Sequence, residues 1–338
     1  MRALQVAEPW GIENLKVAEV PDPAPGPGEV LVRMRAASLN YRDLMMVSGG
    51  GSRGGAITGT MTPLSDGCGV IAAVGDGVSR VAVGDRVSSL FYQTWFAGPP
   101  TMERLKGQLG FPIPGVAREL AVYSEDGVSK VPEHLSDEEV ATLPCAALTA
   151  WRAMFVDADL SPGDTVVLQG TGGVSIFGLQ FAKAAGMRAI ITSSSDAKLE
   201  RAKALGADAA INYQSTPDWG KAVKAATGGR GADLVLEVGG PSTLAMSMRA
   251  VRLGGHIAII GSLGGVAEGF NPTALIGNSA RLQGLSVGSR DMYEDMCRFI
   301  DLHRMRPVVD KVFPLTEAQA AFSAMKANAA FGKIVLTM

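Results

Sequence analysis

The amino-acid sequence predicts an α/β protein in which a β-rich segment precedes a doubly wound parallel sheet. An apolar run at residues 166–168 leads directly into the glycine-rich turn 170–173, and residues 174–185 follow as an apolar helical pattern. From residue 165 to residue 287, predicted strands and helices alternate, which is typical of a parallel sheet with right-handed crossovers. Residues 1–123 instead show short runs of strand character between turns that contain glycine and proline.

The composition limits the classes of function. The chain has 338 residues, more than one small core accommodates, so two domains are expected. Its formal net charge is −2 and it has no basic run, which argues against a nucleic-acid-binding role. No apolar stretch is long enough to span a membrane, and no signal peptide is recognised. The three distant cysteines, Cys68, Cys145 and Cys297, do not suggest a disulfide framework, so we expect a cytoplasmic protein.

The first elements along the chain are predicted strands. Residues 29–35, EVLVRMR, alternate apolar and charged side chains, as in a strand with one buried face. Further strands are predicted at 69–74 and 85–88, with glycine-containing turns between them. Near the C-terminus, a helix at 292–304 precedes a strand at 331–336. These C-terminal residues are too few for a domain of their own, so we expect them to return to the first domain.

Helix signals begin at Ser136. This serine is a predicted N-cap and Glu139 completes a capping box, while Pro144 is expected to kink or break the helical pattern. A further helix is predicted over 197–205, with Asp196 as its N-cap. The strands of the parallel sheet are predicted at 166–168, 188–192, 210–213, 233–237, 256–260 and 282–287.

Six motifs lie in order along the chain: PGPGEVLVRMRAASLNYRD (25–43), GVIAAVGDGVSRVAVGDRV (69–87), LPCAALTAW (143–151), VVLQGTGGVS (166–175), VGSR (287–290) and FGKIVL (331–336). Together they resemble the motifs of the medium-chain dehydrogenase/reductase superfamily. The resemblance implies a GroES-like β-rich catalytic domain and a Rossmann domain, with the active site in the cleft between them. It places the GroES-like domain at 1–126, the Rossmann domain at 127–290 and the returning catalytic segment at 291–338.

The resemblance places the family's catalytic zinc ligands at Asn40, Ser65 and Cys145. Only Cys145 is of a metal-ligating type, because an amide and a hydroxyl are poor zinc ligands. Asp66 could add a carboxylate, which leaves an unusual zinc site open. The region 91–119, which matches the structural zinc lobe, contains no cysteine. We therefore predict an enzyme without zinc, similar to the quinone and enone reductases, although its turn GTGGVS resembles that of the zinc-type alcohol dehydrogenases.

Asn40 and Tyr41 are the predicted catalytic residues. By the resemblance they lie on the floor of the active-site cleft, and both side chains can donate a hydrogen bond. Without a metal ion, a carbonyl or enone oxygen must be polarised by such donors. Other roles stay open, since Asn40 can cap a turn and Tyr41 can pack or contact the cofactor. The neighbouring Arg42 and Asp43 are expected to form an ion pair that shapes the site.

Ser194 indicates which nicotinamide cofactor is used. Enzymes that use NAD usually carry Asp or Glu about 20 residues beyond the glycine turn, where it binds the adenine ribose. The resemblance places Ser194 at that position, with Lys198 one helical turn further on and Tyr213 after the next strand. Hydroxyl groups can donate to a 2′-phosphate and a lysine can supply charge, so NADP(H) is the predicted cofactor.

The other predicted cofactor contacts follow from the motifs. A glycine turn at the amino end of a helix offers backbone N–H groups to a pyrophosphate. Ser175 stands at the third glycine position of the usual fingerprint and is small enough for helix–strand packing. Arg290 and Lys333 are predicted to reach the phosphates as cations. The full set comprises Thr149, Gly170, Thr171, Gly172, Gly173, Val174, Ser194, Lys198, Tyr213, Gly261, Ser262, Leu263, Val287, Ser289, Arg290 and Lys333.

The sequence thus predicts an NADPH-dependent oxidoreductase that transfers a hydride to a quinone, an α,β-unsaturated carbonyl or a small carbonyl. Two alternatives stay open: a zinc-dependent alcohol dehydrogenase with unusual ligands, and a non-catalytic NADPH-binding sensor protein. The expected partner is a small-molecule substrate rather than a nucleic acid or a membrane. Members of the superfamily are commonly dimers or tetramers, so a homodimer or homotetramer is expected, joined through the apolar strand 282–287.

Overall fold

The computed structural model describes residues 1–50, 57–265 and 273–338. They form two compact units, one from Met1–Leu148 with Val287–Met338 and the other from Thr149–Ser286. The sequence places its domain boundaries at 126/127 and 290/291, so the larger difference lies at the first boundary. Residues up to 148 belong to the first unit because the helix Asp137–Ala141 packs against strands of that unit.

The first unit is built around one large, mainly antiparallel sheet. Numbered along the whole chain, its strands are β1 (Arg2–Gln5), β2 (Lys16–Glu19), β3 (Glu29–Ser38), β4 (Asp66–Val74), β5 (Arg86–Ser89), β6 (Leu120–Ser124), β7 (Val128–Lys130), β14 (Val309–Pro314) and β15 (Lys333–Thr337). Within the described residues, the large sheet has the order β14-β15-β3-β4-β5-β7, β6 also pairs with β3, and β1 and β2 form a separate pair. Since β15 pairs with β3, the C-terminal segment shares a sheet with the N-terminal segment.

Strand β3 shows how the sequence builds the core of this unit. Val30, Val32 and Met34 are buried, whereas Arg33 and Arg35 are exposed, which confirms the alternation predicted for this strand. Helices cover the buried face and contribute apolar side chains to the same core. The helices of the first unit are α1 (Tyr41–Val47), α2 (Asp137–Ala141), α9 (Arg290–Leu302) and α10 (Ala318–Lys326).

The second unit is a doubly wound parallel sheet, as predicted. Its strands are β8 (Thr165–Gln169), β9 (Arg188–Ser193), β10 (Ala209–Asn212), β11 (Ala232–Glu237), β12 (Val251–Ile259) and β13 (Arg281–Gly284). They are all parallel and lie in the order β10-β9-β8-β11-β12-β13, so the strand order reverses between β8 and β11. Helix α3 (Leu148–Trp151) begins at the boundary of this unit, and the helices within it are α4 (Gly173–Ala184), α5 (Asp196–Ala204), α6 (Trp219–Ala226), α7 (Pro241–Ala250) and α8 (Thr273–Asn278).

The last strand of this sheet is shorter than predicted. The sequence pattern extends it to residue 287, but β13 ends at Gly284. The amide of Leu285 still donates to Ile259, the last residue of β12, and the chain then leaves the sheet. Val287 adopts a φ of 50°, which is incompatible with a β-strand, so the apolar run 285–287 continues without strand geometry.

The N-cap residues of two helices were predicted, one correctly and one wrongly. Ser136 caps α2 in the predicted capping box with Glu139, and the regular α-helix gives way to a π-helical turn around Pro144. Asp196, in contrast, is not the N-cap of α5. The cap is Ser195, whose Oγ accepts a hydrogen bond from the amide of Lys198, and Asp196 lies in the first turn. Both residue types cap helices well, so composition alone does not choose between neighbours.

No helix of the described ranges combines the length and the apolar character that crossing a bilayer requires.

Candidate active site

The glycine turn lies at the carboxyl end of β8, beside the point where the strand order reverses. Gly170 has a φ of 72°, and Gly172 is the N-cap of α4 with an extended backbone. A Cβ atom built on either glycine would meet no described atom within 4 Å. The turn therefore leaves open space in front of a helix amino terminus, where backbone N–H groups fit a dinucleotide pyrophosphate.

Close packing of α4 on the sheet depends on Gly178 rather than on position 175. A Cβ on Gly178 would lie only 2.7 Å from Cδ2 of Leu168, so no larger residue fits without a shift. Ser175 is buried, and its Oγ donates to the Gln169 carbonyl oxygen at 2.6 Å. The sequence interpretation missed Gly178, although a glycine inside an otherwise apolar helix pattern is a signal of close approach.

Three predicted 2′-phosphate ligands lie at the carboxyl ends of β9 and β10. Ser194 follows β9 directly and is exposed, and Lys198 lies in the first turn of α5. Tyr213 follows β10, and its amide donates to the Ser193 carbonyl at 3.1 Å, which ties the two strand ends together. Asp196 accepts a hydrogen bond from Asn212 Nδ2 at 2.7 Å. The structure therefore brings Ser194, Lys198 and Tyr213 to one edge of the sheet.

A buried carboxylate at the switch point was not predicted. Glu237 is the last residue of β11 and is fully buried. Its carboxylate accepts hydrogen bonds from Gln169 Nε2 at 2.8 Å, from Thr243 Oγ1 at 2.5 Å, and from the amides of Gly239 and Gly240. These bonds hold the turn that follows β11 against the end of β8. The signal in the sequence was an acidic residue that ends an apolar strand, ADLVLE.

The predicted contacts after β12 lie in a turn that is bonded to its own unit. The amide of Gly261 donates to the carbonyl of Glu237 at 3.4 Å, and that of Leu263 donates to Val238 at 3.1 Å. The Ser262 hydroxyl donates to the carbonyl of Gly265, while the side chain of Leu263 is half-exposed. Thr149, at the start of the second unit, is buried in α3.

The predicted contacts around residue 290 belong to the first unit. Val287 is buried, and Ser289 is the N-cap of α9, with its hydroxyl donating to Asp291. Arg290 has a counter-ion within its unit, because Nη1 lies 2.6 Å from Oδ1 of Asp126. Its guanidinium also stacks over the ring of Phe96, 4.7 Å from the centroid. A contact from Arg290 to a phosphate therefore competes with an existing ion pair.

Asn40 lies where the chain leaves β3, as the N-cap of α1. It is 8% exposed, and its backbone amide donates to Oδ2 of Asp43 at 2.7 Å. Oδ1 of Asn40 accepts a hydrogen bond from the ammonium of Lys333 at 2.5 Å. Nδ2 is fully buried and faces Asp66: it makes no well-aligned hydrogen bond to any residue of the described ranges, but the Asn40 side chain helps to lower the pKa of the Asp66 carboxyl. Tyr41, the first residue of α1, is half-exposed, so its side chain is accessible whereas the Asn40 amide is enclosed.

Two buried carboxylates lie around Asn40. The expected ion pair between Arg42 and Asp43 is present, with Nη1 and Oδ1 3.3 Å apart. Burial raises the pKa of Asp43 to about 6, against the opposing effect of the Arg42 charge. Asp66 accepts hydrogen bonds from Ser65 Oγ at 2.6 Å and from the amide of Cys145 at 3.0 Å. Burial also raises the pKa of Asp66.

Lys333 brings a positive charge into this region. Its side chain is buried, and Nζ donates to the carbonyl of Leu39 at 2.6 Å as well as to Asn40. Burial lowers the pKa of this lysine, while the charges of Asp66 and Asp43 oppose that effect. The sequence predicts a phosphate contact for Lys333, whereas in the structure its ammonium is bonded inside the first unit.

The residues at the family's zinc positions do not fit a zinc ion. Cys145 is the only one of the three whose side chain is of a metal-ligating type, because an amide and a hydroxyl are poor zinc ligands. Asn40 Oδ1 is bonded to an ammonium, and both oxygens of Asp66 already accept hydrogen bonds. Within the described part of the chain, no three His, Cys, Asp or Glu side chains lie together in a way that could hold a metal ion.

Comparison with known proteins decides the family. The model of the alcohol dehydrogenase GroES-like domain matches residues 26–133, and that of the zinc-binding dehydrogenase matches residues 173–301. A zinc-type alcohol dehydrogenase-like protein of Schizosaccharomyces pombe is 41% identical over 333 residues, which cover 96% of each chain. The chain belongs to the medium-chain dehydrogenase/reductase superfamily. It is thus an oxidoreductase with the two domain types predicted from its motifs.

Other members of the superfamily show how broad the likeness is. A quinone oxidoreductase of Rattus norvegicus is 28% identical, over 100% of this chain and 98% of that one. A solved structure described as an NAD-dependent alcohol dehydrogenase is 34% identical, with a TM-score of 0.90 and complete coverage of both chains. A mycobacterial protein solved in complex with NADPH is 26% identical, with a TM-score of 0.83 and complete coverage. Alcohol dehydrogenases and quinone reductases thus share this fold.

Proposed function

We propose that this superfamily member is an NADPH-dependent oxidoreductase that acts without zinc. Its acceptor would be a quinone, an α,β-unsaturated carbonyl or a small carbonyl. The observation that carries the proposal is that Asn40 and Ser65 stand at two of the family's three zinc-ligand positions, and that Oδ1 of Asn40 already accepts a hydrogen bond from the buried ammonium of Lys333. A site of this composition offers hydrogen bonds to a substrate oxygen instead of a Lewis acid.

The second unit offers the residues that would hold the cofactor. The amides at Gly170–Gly173, at the amino end of α4, suit the pyrophosphate. Ser194, Lys198 and Tyr213 suit a 2′-phosphate, because a hydroxyl or an ammonium attracts the charge that a carboxylate would repel. The mycobacterial relative with bound NADPH supports this choice. When bound, the reduced nicotinamide would supply the hydride.

The first unit offers the donors that would polarise the acceptor. Asn40 Nδ2 is a neutral donor on a buried side chain whose other polar atom is already bonded. A hydrogen bond from this group would strengthen as negative charge develops on the substrate oxygen, which is how such donors accelerate hydride addition. Tyr41 is the second candidate donor, and its exposed side chain can move to meet a substrate.

The proposed function is tested by NADPH oxidation with a panel of quinones, enones and aldehydes, repeated with NADH. We expect turnover with at least one acceptor class and a preference for NADPH. Asn40→Leu should lower kcat by roughly 100-fold, as the loss of one oxyanion donor does elsewhere. Asn14→Leu, a change to a half-buried asparagine of the same unit, is the matched control and should retain activity.

Two other results would replace this proposal. Alcohol-dependent reduction of NAD(P)⁺ by protein that holds stoichiometric zinc would support a zinc-type alcohol dehydrogenase, as the name of the Schizosaccharomyces pombe relative suggests for that protein. Tight binding of NADPH with no turnover on any acceptor would support the sensor alternative.

The assembly and the cellular location of the protein are also proposed. We propose a homodimer, in which the outer strand β13 of the parallel sheet pairs with its copy. Ile276 and Leu253, on the neighbouring α8 and β12, are strongly exposed and would be covered in such a contact. The free state of the three cysteines is consistent with a cytoplasmic protein. Light scattering after size-exclusion chromatography measures the mass, and a monomer would contradict the dimer.

A further inference from the structure

We propose that Lys333 replaces the metal ion of zinc-type relatives as the fixed cation of the first unit and orients the Asn40 amide, leaving Nδ2 to donate to the substrate. Lys333 would then be a positioning residue that acts through Asn40. The inference rests on the proposed function, in which Asn40 polarises the acceptor.

The fold holds Lys333 rigidly next to Asn40. Lys333 is the first residue of β15, and the amide of Leu39 donates to the carbonyl of Ile334 at 3.0 Å. The ammonium in turn donates to the carbonyl of Leu39 and to Oδ1 of Asn40, and its side chain is only 3% exposed. The end of β3 and the start of β15 are thus joined by backbone and side-chain bonds at the same place.

This contact determines which end of the Asn40 amide is available. An ammonium has three N–H donors and no acceptor, so it can bind only the oxygen of the amide. Oδ1 must therefore face Lys333, and Nδ2 must face away from it. The backbone of Asn40 is also held, since its amide donates to Asp43 at 2.7 Å. With both ends fixed, Nδ2 is presented in one direction, towards Asp66, where the Asn40 side chain helps to lower the pKa of that carboxyl without a well-aligned bond in the described ranges.

The charges nearby explain why a lysine can stay in this buried place. Asp43 and Asp66 are both buried, and Lys333 with Arg42 supplies two positive charges for the two carboxylates. A divalent metal ion beside the same groups would add positive charge where a cation already lies. Buried charges are stable only when they are compensated, so the ammonium and the metal are alternatives.

A phosphate contact for Lys333 makes a different prediction. If the ammonium binds the cofactor, its removal should weaken NADPH binding. If it positions Asn40, its removal should lower kcat and leave the NADPH dissociation constant unchanged. The two roles are therefore separated by one pair of measurements on the same variant.

The test is a double-mutant cycle of Lys333→Met, Asn40→Leu and the double variant. Each is assayed for kcat and KM and for NADPH affinity by fluorescence titration. We expect Lys333→Met to lower kcat by roughly 10- to 100-fold, with NADPH affinity within about twofold of the wild type. In the Asn40→Leu background the same change should have almost no further effect on kcat, because the residue it orients is gone. Lys130→Met, which breaks an exposed ion pair with Asp85 in the same unit, is the control.

Additive losses in the cycle, or a weakened NADPH affinity with normal kcat, would overturn the proposal. If Lys333→Met does not fold, Asn40→Asp decides, because a carboxylate keeps the contact to Lys333 but lacks the Nδ2 donor. Since Asn40→Asp adds a third buried carboxylate beside the two that Lys333 and Arg42 compensate, we expect a lower thermal midpoint than that of the wild type and a loss of at least about tenfold in kcat. Full activity of Asn40→Asp would contradict the assigned orientation.

The contact between Lys333 and Asn40 can be tested even if the proposed function is wrong. A wild-type protein without turnover on any acceptor contradicts the proposed function. The thermal midpoints of the same four proteins then test the contact alone, since a positioning bond between Lys333 and Asn40 predicts strongly non-additive midpoint shifts. Additive shifts would show that the two side chains do not interact.

Discussion

Ser194 lies exposed at the end of β9, with Lys198 in the first turn of the following helix. Ser194→Asp would place a carboxylate where the 2′-phosphate of NADPH is proposed to bind. Since like charges in contact cost several kcal/mol, we expect kcat/KM with NADPH to fall roughly 10- to 100-fold, and that with NADH to be retained or improved. Steady-state kinetics with both cofactors measures the change.

Ser161→Asp is the matched control for this substitution. Ser161 is exposed in the turn before β8, at the amino end of the strand and therefore at the opposite edge of the sheet. We expect its cofactor preference to equal that of the wild type. If Ser194→Asp leaves the NADPH preference intact, the assignment of residues 194, 198 and 213 to the 2′-phosphate is wrong.

His256 predicts a pH dependence of stability. It is buried in β12, with Nδ1 2.9 Å from the guanidinium of Arg281, and burial together with that charge lowers its pKa to about 4. Unfolding returns the imidazole to a pKa of about 6.5, so the unfolded state binds more protons between these values. Its contribution to stability is present above about pH 6.5 and is lost as the pH falls towards 4.

His256→Asn keeps an acceptor for Arg281 but removes the titration. We expect the free energy of unfolding of the wild type to fall by about 1–3 kcal/mol more than that of the variant between about pH 7 and pH 4.5. Urea unfolding at both pH values measures it. Gln283→Asn, in the neighbouring strand, should follow the wild type, and equal slopes for His256→Asn and the wild type would contradict the assignment.

Single residues also mark the limit of prediction from sequence. Ser194 and Asn40 could be proposed from the sequence because the resemblance places each where relatives carry a charged or metal-binding residue. The partner of Lys333 was not, because Leu39 and Asn40 lie almost 300 positions away in the chain. From the sequence, a lone lysine in a strand motif is interpreted as a surface cation or a ligand-binding cation. Only the pairing of β15 with β3 shows that its ammonium lies in the interior of the first unit.

Two glycines of the β8–α4 element have different expected roles, one in cofactor binding and the other in the stability of the fold. Gly172 has an ordinary φ of −79° and open space at its Cβ, which is where the pyrophosphate is proposed to lie. We expect Gly172→Ala to weaken NADPH binding roughly 10-fold or more while the free energy of unfolding stays almost unchanged. Gly178→Ala should instead lower the free energy of unfolding by about 1–3 kcal/mol, because its Cβ overlaps Leu168.

Fluorescence titration with NADPH and denaturant unfolding of both variants provide the comparison. The account predicts opposite profiles, with a binding defect for Gly172→Ala and a stability defect for Gly178→Ala. Equal stability losses in the two variants would mean that the turn is a structural connection and not a phosphate-binding element.

Elements were predicted well where burial imposes a simple pattern. Parallel strands that are buried on both faces read as short apolar runs, and those predicted in the second unit were found with shifts of a few residues. The ends of strands were predicted less accurately. The apolar run continues after Gly284, but the backbone at Val287 leaves the β region. The side-chain network of Glu237 escaped prediction, since it depends on which residues the switch point brings together.

For the whole molecule, the two compact units correspond to the two domain types that the motifs implied. The membership of residues 127–148 differed from the expectation, because helix α2 begins within the predicted Rossmann segment but packs on the first sheet. Helix signals show where an element starts and ends. They do not show against which sheet it packs, which only long-range contacts decide.

We propose above that this member of the superfamily reduces its acceptor without zinc. The most direct test measures the zinc content and the NADPH-dependent reductase activity of the same preparation, before and after dialysis against a zinc chelator. We expect substoichiometric zinc and unchanged turnover after dialysis. One zinc ion per chain, whose removal abolishes turnover and whose return restores it, would contradict the account.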